Sequence, residues 1–178
     1  VQLEIPLEAT RRAMEIARRA GAKVILDPAP ARDVEDYFYL NSHVVTPNET
    51  EASILSGVEV TDLRTAREAA AVIRRRGART VAVTLGEKGT LLSSDSGVLH
   101  FPPSRVKAVD TTAAGDAFAG ALAVFLGEGR PLEEAVRLAG AAGALCATRL
   151  GAQPSLPSRK EIDEFVSSSP PPKPVSVL

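Results

Sequence analysis

The 178-residue chain is 44% apolar, enough to build the core of one domain of ordinary size. Its 21 Lys and Arg against 22 Asp and Glu exclude the basic excess that nucleic acid or an anionic membrane demands. No run reaches the ~20 apolar residues of a membrane span, and one cysteine with two histidines excludes an intrachain disulfide and a cysteine-built zinc site. A cytoplasmic protein acting on small molecules is expected.

The opening Val1-Gln2-Leu3-Glu4 has neither an initiator Met nor a signal segment and reads as a chain entered midway. Apolar positions at helical spacing predict a helix over 7–20 that stops at Gly21. Residues 23–26 read as a strand closed by Asp27-Pro28-Ala29-Pro30, and 43–46 as a second strand. Helices over 48–55 and 63–76 follow, the latter with Thr61 or Asp62 as cap and Gly77 as stop, before a third strand over 80–84. This alternation implies an α/β protein with a largely parallel sheet. Residues 89–93 and 98–101 flank a turn and predict a hairpin at the sheet edge, and 106–109 a further strand. Helices over 115–126 and 132–148 are expected next, with Pro131 at the first helical position, then one over 159–166 capped by Ser158. A single region spans 1–166, and 167–178, rich in Ser and Pro, reads as a disordered tail.

The segment with most chemical information is Val109-Asp110-Thr111-Thr112-Ala113-Ala114-Gly115-Asp116-Ala117-Phe118-Ala119-Gly120. A strand running into a small-residue turn and a helix start presents backbone N–H groups where the macrodipole places about half a positive charge, a setting for phosphate. Asp116 either caps this helix or accepts a proton from an attacking hydroxyl. Asn48 and Glu51, spaced i, i+3 at a helix start, read as a solvated helix end or a metal-linked pair. Gly86 and Gly89 read as a turn or as a loop along a ligand.

The 109–116 segment resembles the C-terminal signature of the ribokinase (PfkB) carbohydrate kinase family. Thr46-Pro47-Asn48-Glu49-Thr50-Glu51, Thr84-Leu85-Gly86-Glu87-Lys88-Gly89 and Gly151-Ala152-Gln153-Pro154-Ser155 match further family elements in order and spacing. Gln2-Leu3-Glu4, Asp27-Pro28-Ala29-Pro30 and the 151–155 run are similar to ribokinases more than to fructokinases or adenosine kinases. The resemblance covers nearly everything up to Val166.

The resemblance implies a three-layer α/β/α sandwich, incomplete at its N-terminus, and ATP-dependent phosphorylation of D-ribose at O5. Asp116 matches the general base, and the N–H groups of Ala113, Ala114, Gly115 and Asp116 the anion hole. The family often has Gly at 113, so Ala113 is expected to hold a negative φ. Asn48 and Glu51 match an element acting through water on Mg2+ and the phosphates. Thr84, Leu85, Gly86, Glu87, Lys88, Gly89 and Gly140 match positions along ATP, although many relatives carry a polar residue where Gly140 stands. Asp110, Thr112, Cys146, Arg149, Gly151 and Ser155 match positions around K+, Cys146 through its carbonyl, its thiol being a buried structural group. Glu4 matches a ribose contact. The family's N-terminal segment, with its lid, sugar-binding Asp and Gly-Gly-Lys-Gly-Ala-Asn motif, has no match here, and a parent homodimer through that lid is implied. Another sugar or nucleoside kinase of the family, or a non-catalytic nucleotide-binding fragment, are the competing readings.

Overall fold

The structure, a computed structural model, describes residues 1–177. Helix α1 (Leu7–Arg19) turns Thr10 and Met14, one helical turn apart, into the interior and ends on Arg18 and Arg19, whose charges complement its C-terminal dipole. Gly21, at φ +70°, reverses the chain there.

Strands β1 (Ile25–Leu26), β2 (Val44–Val45) and β3 (Val81–Thr84) pair in parallel, Leu26 opposite Val45 and Val45 opposite Val81. A buried parallel strand reads as a near-continuous apolar run, as Ile25–Leu26, Val44–Val45 and Val81-Ala82-Val83 do. Helix α2 (Asp36–Leu40) lies between β1 and β2, and α3 (Glu49–Ser56) and α4 (Leu63–Arg75) between β2 and β3. Asp62 and Thr65 close a reciprocal capping box on α4, which buries Ala66, Ala69, Ala70 and Ile73, the i, i+3, i+4, i+7 stripe of a core-facing helix. Strands β4 (Thr90–Ser94) and β5 (Gly97–Phe101) follow, then α5 (Ala114–Gly127), α6 (Leu132–Cys146), α7 (Arg159–Ser168) and β6 (Val175–Ser176). The sheet has the order β1-β2-β3-β4-β5-β6.

The described chain divides into two compact units. The first comprises 1–85, 91–100 and 176–177, with Met14, Leu26, Phe38, Tyr39, Val45 and Ile73 essentially inaccessible in its core. Each fully buried Leu, Ile or Phe contributes about 1.5–3 kcal/mol. The second comprises 86–90 and 101–175, in which α5 packs on α6 and α6 on α7. Gly143 makes the α5–α6 approach possible, because a Cβ there would stand 3.1 Å from the Ala114 carbonyl oxygen.

Several expectations are corrected. Residues 106–109 form no strand: the N–H groups of Val109 and Asp110 both donate to Ala147 O, at the end of α6, at 2.8 and 3.2 Å. The hairpin is not the sheet edge, since β6 lies beyond β5 and Val177 N–H donates to Val98 O at 3.0 Å. Helix α7 continues to Ser168, and Pro171 is buried. Pro131 is the N-cap of α6 rather than its first residue. Helix α2, five residues long, is too short to show a periodic signal in sequence. No helix among the described residues is long and apolar enough to cross a membrane.

Candidate active site

In the first unit, Pro47 O accepts the N–H of Thr84 at 2.9 Å, and Asn48 bridges Thr84 in parallel beyond the end of β2. The ladder thus sets two of the matched segments side by side at the carboxyl ends of adjacent parallel strands. Asn48 is also the N-cap of α3. Its Oδ1 accepts Glu51 N–H and Glu51 Oε2 accepts Asn48 N–H, both at 2.8 Å. Burial pushes the Glu51 carboxyl above its ordinary value, partly offset by the hydrogen bonds from Asn48. The pair is a working helix cap, and Glu51 Oε1 accepts no hydrogen bond among the described residues. That oxygen is suited to water on a hydrated divalent cation, which keeps several of its waters when bound. Glu4 is exposed, in a bend where Arg32 donates to Leu3 O at 2.6 Å and to Ile5 O at 3.3 Å.

After Thr84 and Leu85, the residues Gly86, Glu87 and Lys88 make a 3-10 turn closed by Gly89 N–H to Gly86 O at 3.1 Å. Gly89 is required by packing in the second unit: φ is +90°, and a Cβ would stand 2.1 Å from Phe101 O.

Ala113 caps α5 from the left-handed region at φ +61°, the only non-glycine residue with positive φ among those described. This overturns the negative φ expected for it and costs roughly 1–2 kcal/mol. The same conformation turns the chain sharply into the helix. Ala117 N–H donates to Ala113 O at 2.9 Å, and Ala114 N–H turns back to Thr111 O at 3.1 Å. Of the N–H groups expected in an anion hole, that of Ala114 is therefore occupied internally. Gly115 and Asp116 lie between these two bonds in the exposed first turn, where helical N–H groups have no intrahelical partner. A carboxylate at this place gains from the dipole and from solvent access, as a proton acceptor for an external hydroxyl must.

Asp110, Thr112, Cys146, Arg149, Gly151 and Ser155 come together in one network. Asp110 Oδ1 accepts Thr112 N–H at 2.9 Å and the Thr112 hydroxyl at 2.6 Å, and Asp110 Oδ2 accepts Gly151 N–H at 2.9 Å. These bonds, that from the Thr112 hydroxyl foremost, hold the Asp110 carboxyl down to about 2. The buried Cys146 Sγ lies 3.6 Å from Thr112 O and 3.1 Å from Ser155 Oγ, and Arg149 N–H donates to Cys146 O at 3.1 Å. With both Asp110 oxygens occupied and no cluster of three acidic, His or Cys ligands among the described residues, the donors left for an ion are carbonyls and hydroxyls. Such a set fits a hard monovalent cation, not a transition metal.

Sequence reasoning missed Glu161, whose Oε1 accepts from Arg149 at 2.6 Å and whose Oε2 accepts Ser158 N–H at 2.7 Å, so that α7 anchors the 149–151 turn. The signal was present in Ser158-Arg159-Lys160-Glu161, a capping-box spacing. Gly140 lies half-buried on α6, where an added Cβ would meet nothing within 4 Å.

Parallel strands with the matched segments at their carboxyl ends place the first unit in the α/β class whose ligand sites lie at strand ends. Residues 1–159 match the model of the pfkB family carbohydrate kinases, and the chain belongs to that family. It is 44% identical over 166 residues to a ribokinase of Haemophilus influenzae, covering 93% of this chain and 54% of that protein. A deoxyribokinase of Salmonella typhi is 37% identical over 168 residues, covering 94% and 55%. Among solved structures, a ribokinase of Thermotoga maritima superposes with a TM-score of 0.83 at 45% identity, covering 93% of this chain and 55% of that one. Arabidopsis thaliana ribokinase complexed with ribose and ATP gives 0.86 at 33% identity, covering 93% and 54%. The fold is thus ribokinase-like, and the chain spans about half the length of the curated relatives it matches.

Proposed function

We propose that this chain carries the nucleotide-binding and phosphoryl-transfer part of an ATP-dependent sugar kinase, with D-ribose phosphorylated at O5 to ribose 5-phosphate. The observation that carries the reading is the start of α5, where exposed Asp116 stands in the first turn beside the sharply turned Ala113. Asp116 takes the proton of the sugar hydroxyl as its oxygen forms a bond to the γ-phosphorus, and the bond to the ADP oxygen breaks. A positioned base contributes roughly 10²- to 10⁴-fold in rate. The N–H groups of Gly115 and Asp116 face charge on the transferring group, because phosphoryl transfer is accelerated chiefly by positioning and by electrostatic stabilisation of that charge. Thr84 to Gly89 and Gly140 lie along the nucleotide, and Glu4 contacts the sugar.

Bound Mg2+ would neutralise phosphate charge, with Asn48 and Glu51 holding it through water. K+ would be held by the oxygens of Asp110, Thr112, Cys146, Arg149, Gly151 and Ser155, its charge stabilising the anion-hole turn. Support for ribose comes from the ribokinase relatives and from the structure solved with ribose and ATP. The deoxyribokinase at 37% identity favours, as the second reading, a family kinase for another pentose.

The test is ADP release from Mg-ATP in potassium buffer, with D-ribose or 2-deoxy-D-ribose, run beside Asp116→Asn. Sugar-dependent release that the substitution abolishes supports the reading, and the preferred sugar decides between the two substrates. Release unchanged in Asp116→Asn overturns the assignment of the base.

A further inference from the structure

Strands β1, β2 and β3 run parallel, so their N-terminal ends share one side of the first unit, opposite the loops of Asn48 and Thr84. A basic residue stands just before each: Lys23, His43 and Arg79. A cavity of about 190 Å³ opens there, lined by Arg18, Asn41, Ser42, His43 and Arg79 with the backbone turn at Gly21, and no acidic residue lines it.

Arg18 and Arg79 meet no carboxylate among the described residues. Arg18 instead donates to Oδ1 of the buried Asn41, whose Nδ2 is fixed on Tyr37 O at 2.6 Å, so the guanidinium is held by a neutral side chain and not by a carboxylate. His43 Nδ1 accepts Val24 N–H at 2.9 Å, which places the ring proton on Nε2 as a donor. Burial lowers the His43 pKa, and the fields of Arg79, Lys23 and Arg18 lower it further, as expected beside a positive site. Helices α1 and α2 both end at this cavity, so the negative ends of their dipoles partly offset its cations, and no carboxylate lines it.

We propose that this cavity binds a phosphate-bearing small anion, held by the guanidinium groups of Arg18 and Arg79 and by the Nε2–H of His43. Guanidinium donors match phosphate oxygens in geometry as well as charge. The site lies at the opposite ends of the strands from the nucleotide loops and stands independently of the kinase reading.

Its test is titration of the chain with inorganic phosphate and with glycerol 3-phosphate at constant ionic strength, following the rings of the two histidines by NMR, with chloride as control. The expected result is a saturable shift of His43 with its pKa displaced upward, His100 unmoved, and binding weakened about tenfold or more in Arg79→Gln, the loss of one charge-assisted hydrogen bond. A wild-type melting temperature for that variant shows an intact fold, and the tighter of the two ligands tells free phosphate from a phosphomonoester. An equal response to chloride, or no saturation, overturns the site. So does an Arg18→Gln or Arg79→Gln variant that melts lower with an unchanged phosphate response, which leaves the cations serving the helix ends alone. Saturable shifts confined to the amides around Gly86 and Gly115 also overturn it, by placing the anion at the nucleotide loops.

Discussion

The carboxylate of Asp110 holds the N–H of Gly151 at 2.9 Å across 41 positions of the chain, tying the approach to α5 to the turn beyond α6. Its pKa lies at about 2, below the ordinary 3.8. A depressed carboxylate stabilises the fold fully above its unfolded value, and that contribution fades as pH falls through the folded one. Asp110→Asn is therefore expected to lower the melting temperature at neutral pH, with the gap from wild type closing between 3.8 and about 2. Thermal melts across that range check it, and a gap independent of pH would count against the carboxylate's role.

Ala113 at φ +61° stores strain that glycine would not. Relief of roughly 1–2 kcal/mol is partly cancelled by the extra unfolded-chain entropy of glycine, about 0.4–1 kcal/mol. Ala113→Gly should stabilise the second unit by about 0.5–1 kcal/mol net, read from urea unfolding.

Asp116→Asn should remove sugar-dependent turnover by roughly 10²- to 10⁴-fold, the contribution of a positioned base. ATP affinity, measured by calorimetry, should stay close to wild type. Equal loss of binding and turnover would make Asp116 a structural residue.

Glu51 separates capping from chemistry. Gln also serves at the third position of a capping box, so Glu51→Gln should change stability by no more than about 0.5 kcal/mol, whereas Glu51→Ala loses the reciprocal bond and about 1 kcal/mol. Because burial raises the Glu51 pKa above 4.5, wild type should lose stability relative to Glu51→Gln as pH rises above that value. If Glu51 holds hydrated Mg2+, the Gln variant should need more of the ion for half-maximal turnover while keeping its cap.

Gly89→Ala combines φ +90° with a Cβ 2.1 Å from Phe101 O. A loss of about 2–5 kcal/mol is expected from strain and overpacking together, read from denaturant unfolding.

Sequence alone determined what local chemistry controls. The cap at Ser158, a cap at Thr61 or Asp62, the stop at Gly21, the short apolar runs of β1 to β3 and the order of the four matched segments were all legible, because each depends on a few neighbouring residues. Tertiary structure decided the rest. Residues 106–109 have strand-like composition, but the N–H of Val109, like that of Asp110, finds Ala147 O instead of a neighbouring strand. Beyond α7 the chain returns to the sheet, where Val177 N–H donates to Val98 O, a partner far back in the sequence. The left-handed turn at Ala113 opposes the intrinsic preference of alanine and is imposed by its surroundings. The approach of α6 to Ala114 rests on Gly143, which no pattern distinguishes from Gly140. In each of these cases the partner lies far along the chain or the local preference is overruled, and a hydrogen bond or a close contact exists only once the fold has brought both sides together.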